Sequence, residues 1–115
     1  MKPISSANAE HYLWGERCDG WYLVRTDELN IIEEKMPPGT CETRHSHIRA
    51  RQFFYVLEGE LTMEVEREEL VLRVGEGIEV APGKAHQALN RSAESTRFLV
   101  TSQPPSHGDR VEQVS

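Results

Sequence analysis

The chain has few of the residues that build covalent or thiolate frameworks. Only two of its 115 residues are cysteines, Cys18 and Cys41, and neither belongs to a Cys-x-x-Cys pair. Two cysteines do not make the disulfide framework of a small secreted domain. Without a Cys-x-x-Cys pair, the sequence also excludes a structural zinc site made of thiolates. The fold must therefore depend on a hydrophobic core, and a chain of this length buries roughly two-thirds of its unfolded surface.

Long apolar runs and an excess of positive charge are also missing. No stretch approaches the ~20 apolar residues of a membrane-spanning helix, and the first residues, MKPISSANAEHY, lack the apolar segment of a secretion signal. We therefore expect a cytoplasmic protein that does not bind membranes. The formal net charge of -6 argues against nucleic acid or an anionic membrane as partner, because an acidic surface is repelled by both.

No segment has the apolar spacing of a confident helix, and no internal repeat is present. Instead, short stretches rich in Val, Ile, Phe and Tyr alternate with Gly and Pro turns. This pattern is typical of an all-β sandwich or barrel. The predicted strands cover residues 22–25, 29–36, 40–47, 52–58, 61–65, 70–74, 78–81, a segment at His86, and 96–102.

The length predicts a single domain spanning 1–115. Residues 1–10 are interpreted as an N-terminal arm, because the start of the chain has no hydrophobic periodicity. Residues 103–115 are interpreted as a C-terminal tail that either covers the domain or leaves it. This tail carries His107, Asp109 and Arg110 beside two prolines.

Three histidines and a glutamine are the strongest candidates for chemistry. His45 and His47 are one residue apart on a predicted strand, so both side chains point to the same face. Gln52 follows after a short turn, and His86 lies in a second turn-rich stretch. Three neutral imidazoles and an amide oxygen suit one divalent transition metal. The competing interpretation is that all four are ordinary polar residues of loops and surface.

The same residues fall at the positions of two motifs found in cupins. The first motif is matched by Gly39, His45, His47, position 52 and Gly59, and the second by Gly75, Gly83, His86 and Asn90. The chain therefore resembles a small single-domain cupin, with motifs that span about half of it. Gln52 stands where the family pattern has Glu, and Ala81 stands where it has Pro.

The resemblance implies a double-stranded β-helix, which is the jelly-roll barrel of the cupins. It also implies a metal site on His45, His47, Gln52 and His86 inside the barrel. Because cupins commonly pair through their sheets, it implies a homodimer as well.

Alternation along residues 52–58 indicates which side chains face the barrel interior. If Gln52 points inward, Phe54 and Val56 do too. The opposite face then carries three large apolar side chains, Phe53, Tyr55 and Leu57. We expect the N-terminal strands or a second subunit to cover this face.

Several polar residues near the motifs have less certain roles. Arg44 has the opposite parity to His45, so a solvated face is expected for it. Arg49 and Arg51 lie in the loop, where steering of an acidic substrate and simple solvation are both open.

Cys41 shares the parity of His45 and would face the same cavity, although a small buried apolar residue is the simpler interpretation. Tyr55, His11 and His107 are possible proton donors, but core or surface roles are expected for each.

Glutamine at position 52 has an electrostatic consequence. An amide leaves the full double charge of a bound metal inside the barrel, so an anionic ligand is favoured. The sequence thus predicts a cupin metalloprotein that binds one divalent ion (Fe, Mn, Ni, Cu or Zn) and a small polar or anionic metabolite. Dioxygenase, isomerase and lyase activities all stay open. The alternative is a non-catalytic ligand-binding or sensing module of the same fold, since fold does not set function.

Overall fold

The computed structural model describes residues 1–113, which form eleven β-strands and no helix. The strands are β1 (Glu10–Trp14), β2 (Cys18–Arg25), β3 (Asn30–Met36), β4 (His45–His47), β5 (Arg51–Glu58), β6 (Leu61–Val65), β7 (Glu68–Leu72), β8 (Gly77–Val80), β9 (His86–Leu89), β10 (Thr96–Gln103) and β11 (Arg110–Glu112). Within this described part of the chain, no helix has the length and apolar character needed to cross a membrane.

The strands form two antiparallel sheets around a common core. The six-stranded sheet has the order β1-β2-β3-β10-β5-β8, and the five-stranded sheet has the order β11-β4-β9-β6-β7. Strands distant in sequence thus lie side by side, as in a jelly roll. Buried apolar side chains from both sheets make up the core, among them Met36, Phe54, Val56, Leu61, Met63, Ala88 and Phe98. The predicted fold class, an all-β double-stranded β-helix of the jelly-roll or cupin type, is confirmed.

Strand β5 shows how the sequence pattern positions side chains in this fold. Gln52, Phe54 and Val56 are buried, whereas the residues between them are exposed. Phe53 and Tyr55 therefore lie on the outer face of the six-stranded sheet, where 44% and 36% of their surface is exposed. The alternation predicted from the sequence is confirmed.

Two of the motif glycines are required by the backbone. Gly59 has a φ of 76°, and a Cβ there would lie only 2.8 Å from the carbonyl oxygen of Ser95. Gly83 has a φ of 82°, a conformation that side chains other than glycine rarely adopt. Its N–H donates to the carbonyl oxygen of His47 at 2.8 Å, so the turn before β9 is tied directly to β4.

The predicted strand over residues 40–47 is interrupted, and this changes which side chains face the cavity. Cys41 pairs with Leu89 in an isolated bridge, whereas His45 pairs with His86. Between these two pairs, three residues before His45 oppose two residues of β9. The extra residue is a β-bulge, and it reverses which side chains point inward on either side of it. Cys41 is consequently exposed, so both expectations for it were wrong. Glu42 lines the interior cavity in its place.

Strands β1 and β11 were not predicted from the sequence. Strand β11 pairs antiparallel with β4, so that Arg110 lies opposite His47. The carboxylate of Asp109 accepts hydrogen bonds from the backbone N–H groups of Arg49 and Ala50 at 2.9 and 2.8 Å. These contacts hold the segment before β11 against the loop between β4 and β5, at the mouth of the barrel.

Candidate metal centre

Three buried histidines come together on the inner face of the five-stranded sheet. His45 and His86 are register partners on β4 and β9, and His47 follows on the same face of β4. The ring centroid of His45 lies 4.9 Å from that of His47 and 4.4 Å from that of His86. One nitrogen from each ring lies within 4.8 Å of the others, which is close enough for a shared ion.

Backbone carbonyls fix the tautomers of two of these rings. Nδ1 of His45 lies 2.7 Å from the carbonyl oxygen of Thr43, and Nδ1 of His86 lies 3.0 Å from that of Lys84. A carbonyl oxygen only accepts hydrogen bonds, so each Nδ1 carries the proton and each Nε2 presents a lone pair. This is the arrangement by which an outer hydrogen bond orients a metal-ligating histidine.

Gln52 faces this cluster from the six-stranded sheet. Its side-chain Nε2 donates to the hydroxyl of Ser102 at 3.0 Å, which sets the orientation of the amide and turns its oxygen away from that partner. Gln52 lines the same cavity as His45 and His47. The structure therefore brings the glutamine and the histidines predicted from the sequence into one place.

Unpartnered atoms in this cluster fit a bound cation. Among residues 1–113, the buried atoms without a hydrogen-bond partner include Nε2 of His86, Nδ1 of His47 and Oε1 of Gln52. Buried polar atoms are seldom left in this state. Imidazole nitrogens and an amide oxygen are both donors that divalent transition metals accept. The residues present thus fit a metal ion.

Burial sets the charge state of the three imidazoles. Desolvation lowers the pKa of His45 to about 3 and that of His47 to about 4, and it lowers the pKa of His86 as well. All three rings are therefore neutral at neutral pH, which is the form that binds a metal. Since Gln52 is also neutral, this donor set does not cancel any charge of a divalent ion.

The cavity beside the cluster is small, with a volume of about 260 Å³. Residues of both sheets and of the segment before β11 line it, including Tyr12, Asn30, Glu34, Glu42, Ser102, His107 and Arg110. Its size suits a small metabolite, and its lining combines ionisable groups with aromatic walls. His107 is thereby placed at the cavity, whereas His11 lies on the surface beside Asp19.

Arg110 is the cation of this cavity, whereas the sequence placed it only in the C-terminal tail. One of its guanidinium nitrogens donates to the carbonyl oxygen of Thr43 at 3.3 Å. No carboxylate within residues 1–113 comes within 4.0 Å of it. Its charge contributes to the lowered pKa of the buried histidines, including His45. The position of Arg110 depends on the pairing of β11 with β4, for which the local sequence carries no signal.

The other arginines near the motif serve different roles. Arg44 forms an ion pair with Glu64 at 2.6 Å on the outer side of the five-stranded sheet, and this pair is largely covered. It points away from the cavity as expected, but it is not simply solvated. Arg51 pairs with the exposed Glu79, and Arg49 lines a polar groove beside the barrel mouth.

Two half-buried carboxyl groups that line the cavity, those of Glu34 and Glu42, were also missed. Glu34 lies on β3, with the parity of the buried Asn30 and Met36, so alternation along β3 was a usable signal for it. Glu42 was missed because of the bulge. Its spacing from His45 in the sequence predicts that the two side chains point to opposite faces, whereas both line the cavity. Tyr12 lies on β1, a strand that was not predicted at all.

The family is established by comparison with known proteins. Residues 32–102 match the family model for the cupin domain, and this segment contains the three histidines and Gln52. The chain therefore belongs to the cupin family.

The chain is also similar to individual proteins and solved structures. The uncharacterised protein MJ1618 of Methanocaldococcus jannaschii is 28% identical over 81 residues, which cover 70% of this chain and 65% of that protein. The crystal structure of TT1209 from Thermus thermophilus is 26% identical, with a TM-score of 0.69 over 72% of this chain and 79% of that one. An RmlC-like cupin from Shewanella frigidimarina is 24% identical, with a TM-score of 0.81 over 91% and 92%. It shares the fold.

Proposed function

We propose that this cupin binds one divalent transition metal through His45, His47, His86 and Gln52 and uses it on a small anionic metabolite. The observation that carries the proposal is the pair of buried, unpartnered donors, Nε2 of His86 and Oε1 of Gln52, beside the other two imidazoles. Without a cation, these groups have lost hydration with no compensation. A metal supplies the missing partner for both.

The ion and Arg110 are the positive charges of the site, and both favour an anionic ligand. Because the donor set is neutral, the ion keeps its double charge in a poorly solvated cavity, where electrostatic interactions are strong. Arg110 adds a further positive charge that no carboxylate neutralises within 4.0 Å among the described residues. Its planar guanidinium suits a carboxylate in a two-point contact.

When bound, the ion withdraws electron density from a ligand oxygen or lowers the pKa of a bound water. The four donors hold it, and Arg110 orients the anionic end of the metabolite. The cavity walls, with Phe54 and Val100 among them, limit the water around the ligand. The donor types are compatible with Fe, Mn, Ni, Cu and Zn alike, so elemental analysis of the purified protein is the direct way to identify the ion.

A homodimer is part of this proposal. The outer face of the six-stranded sheet carries the partly exposed Phe53, Tyr55 and Leu57. Since β1 lies at one edge of this sheet and does not cross over β5, the N-terminal strands leave the face open. A second copy of the chain provides the cover.

The test combines metal analysis with turnover on a small panel. Purified protein is analysed for metal, stripped, reloaded with each candidate ion, and incubated aerobically with small carboxylates, hydroxy acids and keto acids. We expect stoichiometric metal and metal-dependent conversion of at least one acid, with oxygen uptake distinguishing dioxygenation from isomerisation or lysis. Stoichiometric metal without any turnover would instead favour a non-catalytic ligand-binding or sensing module. Absence of metal binding would contradict the proposal.

A further inference from the structure

The cavity contains a set of acidic groups that the metal site does not use. Glu34 lines the cavity from β3, on the sheet that faces the histidines. The hydroxyl of Tyr12 donates to its Oε2 at 3.2 Å. The neighbouring residue Glu33 has the opposite parity and pairs with Arg97 at 2.6 Å on the outer face. The carboxyl of Glu34 is thus held inside the barrel by the strand register and by one hydrogen bond.

Glu42 reaches the same cavity from the other side. Its backbone N–H donates to the carbonyl oxygen of Ala88, and its side-chain Oε1 accepts the N–H of Ala88 at 3.0 Å. This two-point attachment to β9 fixes the carboxyl group. Its second oxygen, Oε2, has no hydrogen bond to any residue of the described chain.

Neither carboxyl group forms a close ion pair. Among residues 1–113, no Lys, Arg or His nitrogen lies within 4.0 Å of either group. Burial and the charge of Glu42 raise the pKa of Glu34 to about 8, although the Tyr12 hydrogen bond and the charge of Arg110 act in the opposite direction. Burial raises the pKa of Glu42 to about 7. Because the charge of Glu42 disfavours ionisation of Glu34, Glu34 is the group that keeps its proton and Glu42 is the group that ionises first.

Asn30 gives independent evidence that a ligand contacts this wall. It lies on β3 with the same parity as Glu34 and lines the same cavity. Its side chain is only 6% exposed, yet its Oδ1 has no hydrogen-bond partner among the described residues. A buried acceptor of this kind calls for a donor. A hydroxyl group of a cavity ligand supplies one.

We propose that Glu34 and Glu42 are a general acid–base pair that moves a proton on a small hydroxy- or keto-carboxylate in this cavity. The inference rests on the proposed metal function, and it selects proton-shift chemistry, an isomerisation, over oxygenation. Arg110 holds the carboxylate end of the ligand, and Asn30 accepts a hydrogen bond from its hydroxyl.

The proton shift is balanced within the cavity. The ionised member of the pair takes a proton from the carbon next to the ligand carbonyl. The electron pair of that C–H bond becomes the C=C bond of an enol, and the pair of the carbonyl π bond moves onto the oxygen, which takes the proton of the neutral member. The newly ionised member then takes a proton from the enol hydroxyl or a neighbouring one, a carbonyl re-forms there, and the newly neutral member returns a proton to the other carbon of the C=C bond. Both members are back in their starting protonation states. No oxidant or reductant is needed, and bond rearrangement stays within the ligand.

The test measures hydrogen exchange rather than a particular product. Metal-loaded protein in D2O is incubated with pyruvate and with hydroxypyruvate, and loss of the C3 proton signal is followed by NMR against protein-free controls. We expect metal-dependent exchange of at least one probe. Glu34→Gln and Glu42→Gln should each slow it by about 100-fold, the usual contribution of a general acid or base. Glu79→Gln, an exposed carboxyl on the outer face, serves as the matched control and should exchange like the unmodified protein.

A second measurement detects the protonated carboxyl group directly. Infrared difference spectra at neutral pH should show a protonated carboxyl band in the unmodified protein and in Glu79→Gln, and this band should be absent or reduced in Glu34→Gln. Metal content is measured on the same samples. Full metal occupancy with no exchange of either probe, or with unchanged exchange in both glutamine variants, overturns the acid–base proposal and leaves the metal function intact. Lack of the infrared band in the unmodified protein also overturns it. Loss of metal from the unmodified protein contradicts the metal function instead.

Discussion

His45 on β4 and His86 on β9 lie directly opposite each other in the five-stranded sheet, with ring centroids 4.4 Å apart. Each ring is anchored in the same way, through Nδ1, to the carbonyl oxygen two residues earlier in the chain. The same kind of local hydrogen bond therefore orients two candidate ligands from distant parts of the sequence. The pairing of β4 with β9 brings them together. The lone pairs of both rings are set by the protein itself, which is the arrangement that a metal-ligating histidine needs.

Gln52→Glu should bind the metal more tightly. The change keeps the shape of the side chain and adds a negative charge next to the ion, where attraction is large even at an effective dielectric of about 20. Ser102 is able to donate to the new carboxylate, because its hydroxyl both donates and accepts. The dissociation constants of the metal for the two proteins, measured by competition with a chelator, provide the check.

The same variant should bind anionic ligands less well, since the net charge they meet falls by one unit. If Gln52 does not touch the ion, the variant instead buries a carboxylate without a counter-charge, and its melting temperature falls without a gain in metal affinity. That pair of results would remove Gln52 from the donor set.

Arg110→Gln should weaken binding of a small carboxylate about ten-fold or more, as expected for loss of a charged hydrogen bond. Metal content should not change, because Arg110 is not a donor. Titration calorimetry with pyruvate on the metal-loaded protein measures the effect. Arg91→Gln, which breaks an exposed pair with Glu69, is the control. Equal carboxylate affinity in the Arg110 variant and the control would show that Arg110 does not hold the ligand.

Glu34→Gln should gain stability relative to the unmodified metal-free protein as the pH rises. The pKa of Glu34 is about 8 in the folded state and 4.5 in the absence of its environment. Between these values the unfolded chain loses its proton while the folded protein keeps it, so the free energy of unfolding falls as pH increases. Gln52 and the histidines are unchanged in the variant, so subtracting the two melting curves isolates this contribution.

The measurement is the melting-temperature difference between variant and unmodified protein from about pH 4.5 to about pH 8. It should increase across that window and then level off. The same series on Glu79→Gln, an exposed carboxyl on the outer face, is the control for effects common to any Glu-to-Gln substitution. A flat difference for Glu34→Gln would mean that the carboxyl group titrates normally.

Phe53→Asp should convert a dimer to a monomer, because a charge on the apolar outer face of β5 opposes sheet packing. Sedimentation at micromolar concentration checks this. Leu70→Asp, on an exposed position of the other sheet, should stay dimeric. A monomer mass for the unmodified protein would rule out the proposed interface.

The sequence predicted the fold and the four candidate donors because their signals are local. Alternation along β5 gives the direction of Gln52, and motif spacing locates His45 and His86 beside their turns. Strand alternation predicts the wrong orientation for the side chains next to an extra backbone residue. The bulge between Cys41 and His45 exposes the cysteine and turns Glu42 inward, and composition alone does not reveal a bulge.

The remaining cavity residues depend on tertiary pairing. Arg110 reaches the cavity because β11 pairs with β4 and because Asp109 binds two backbone N–H groups of a loop some sixty residues earlier. Tyr12 on β1 reaches Glu34 on β3 across the one strand between them, β2. Short strands such as β1 and β11 are stabilised by the partner strand rather than by their own sequence. The positions of Tyr12 and Arg110 were therefore not apparent from the sequence.

The central claim is that the histidine cluster holds the metal, and elemental analysis of single variants tests it most directly. His86→Ala and His47→Ala are purified beside His11→Ala, whose histidine lies at the surface next to Asp19. Loss of an imidazole donor should reduce metal occupancy about ten-fold or more, given that even loss of an outer-shell partner costs this much. His11→Ala should keep the metal content of the unmodified protein. Undiminished metal in both cluster variants would contradict the account.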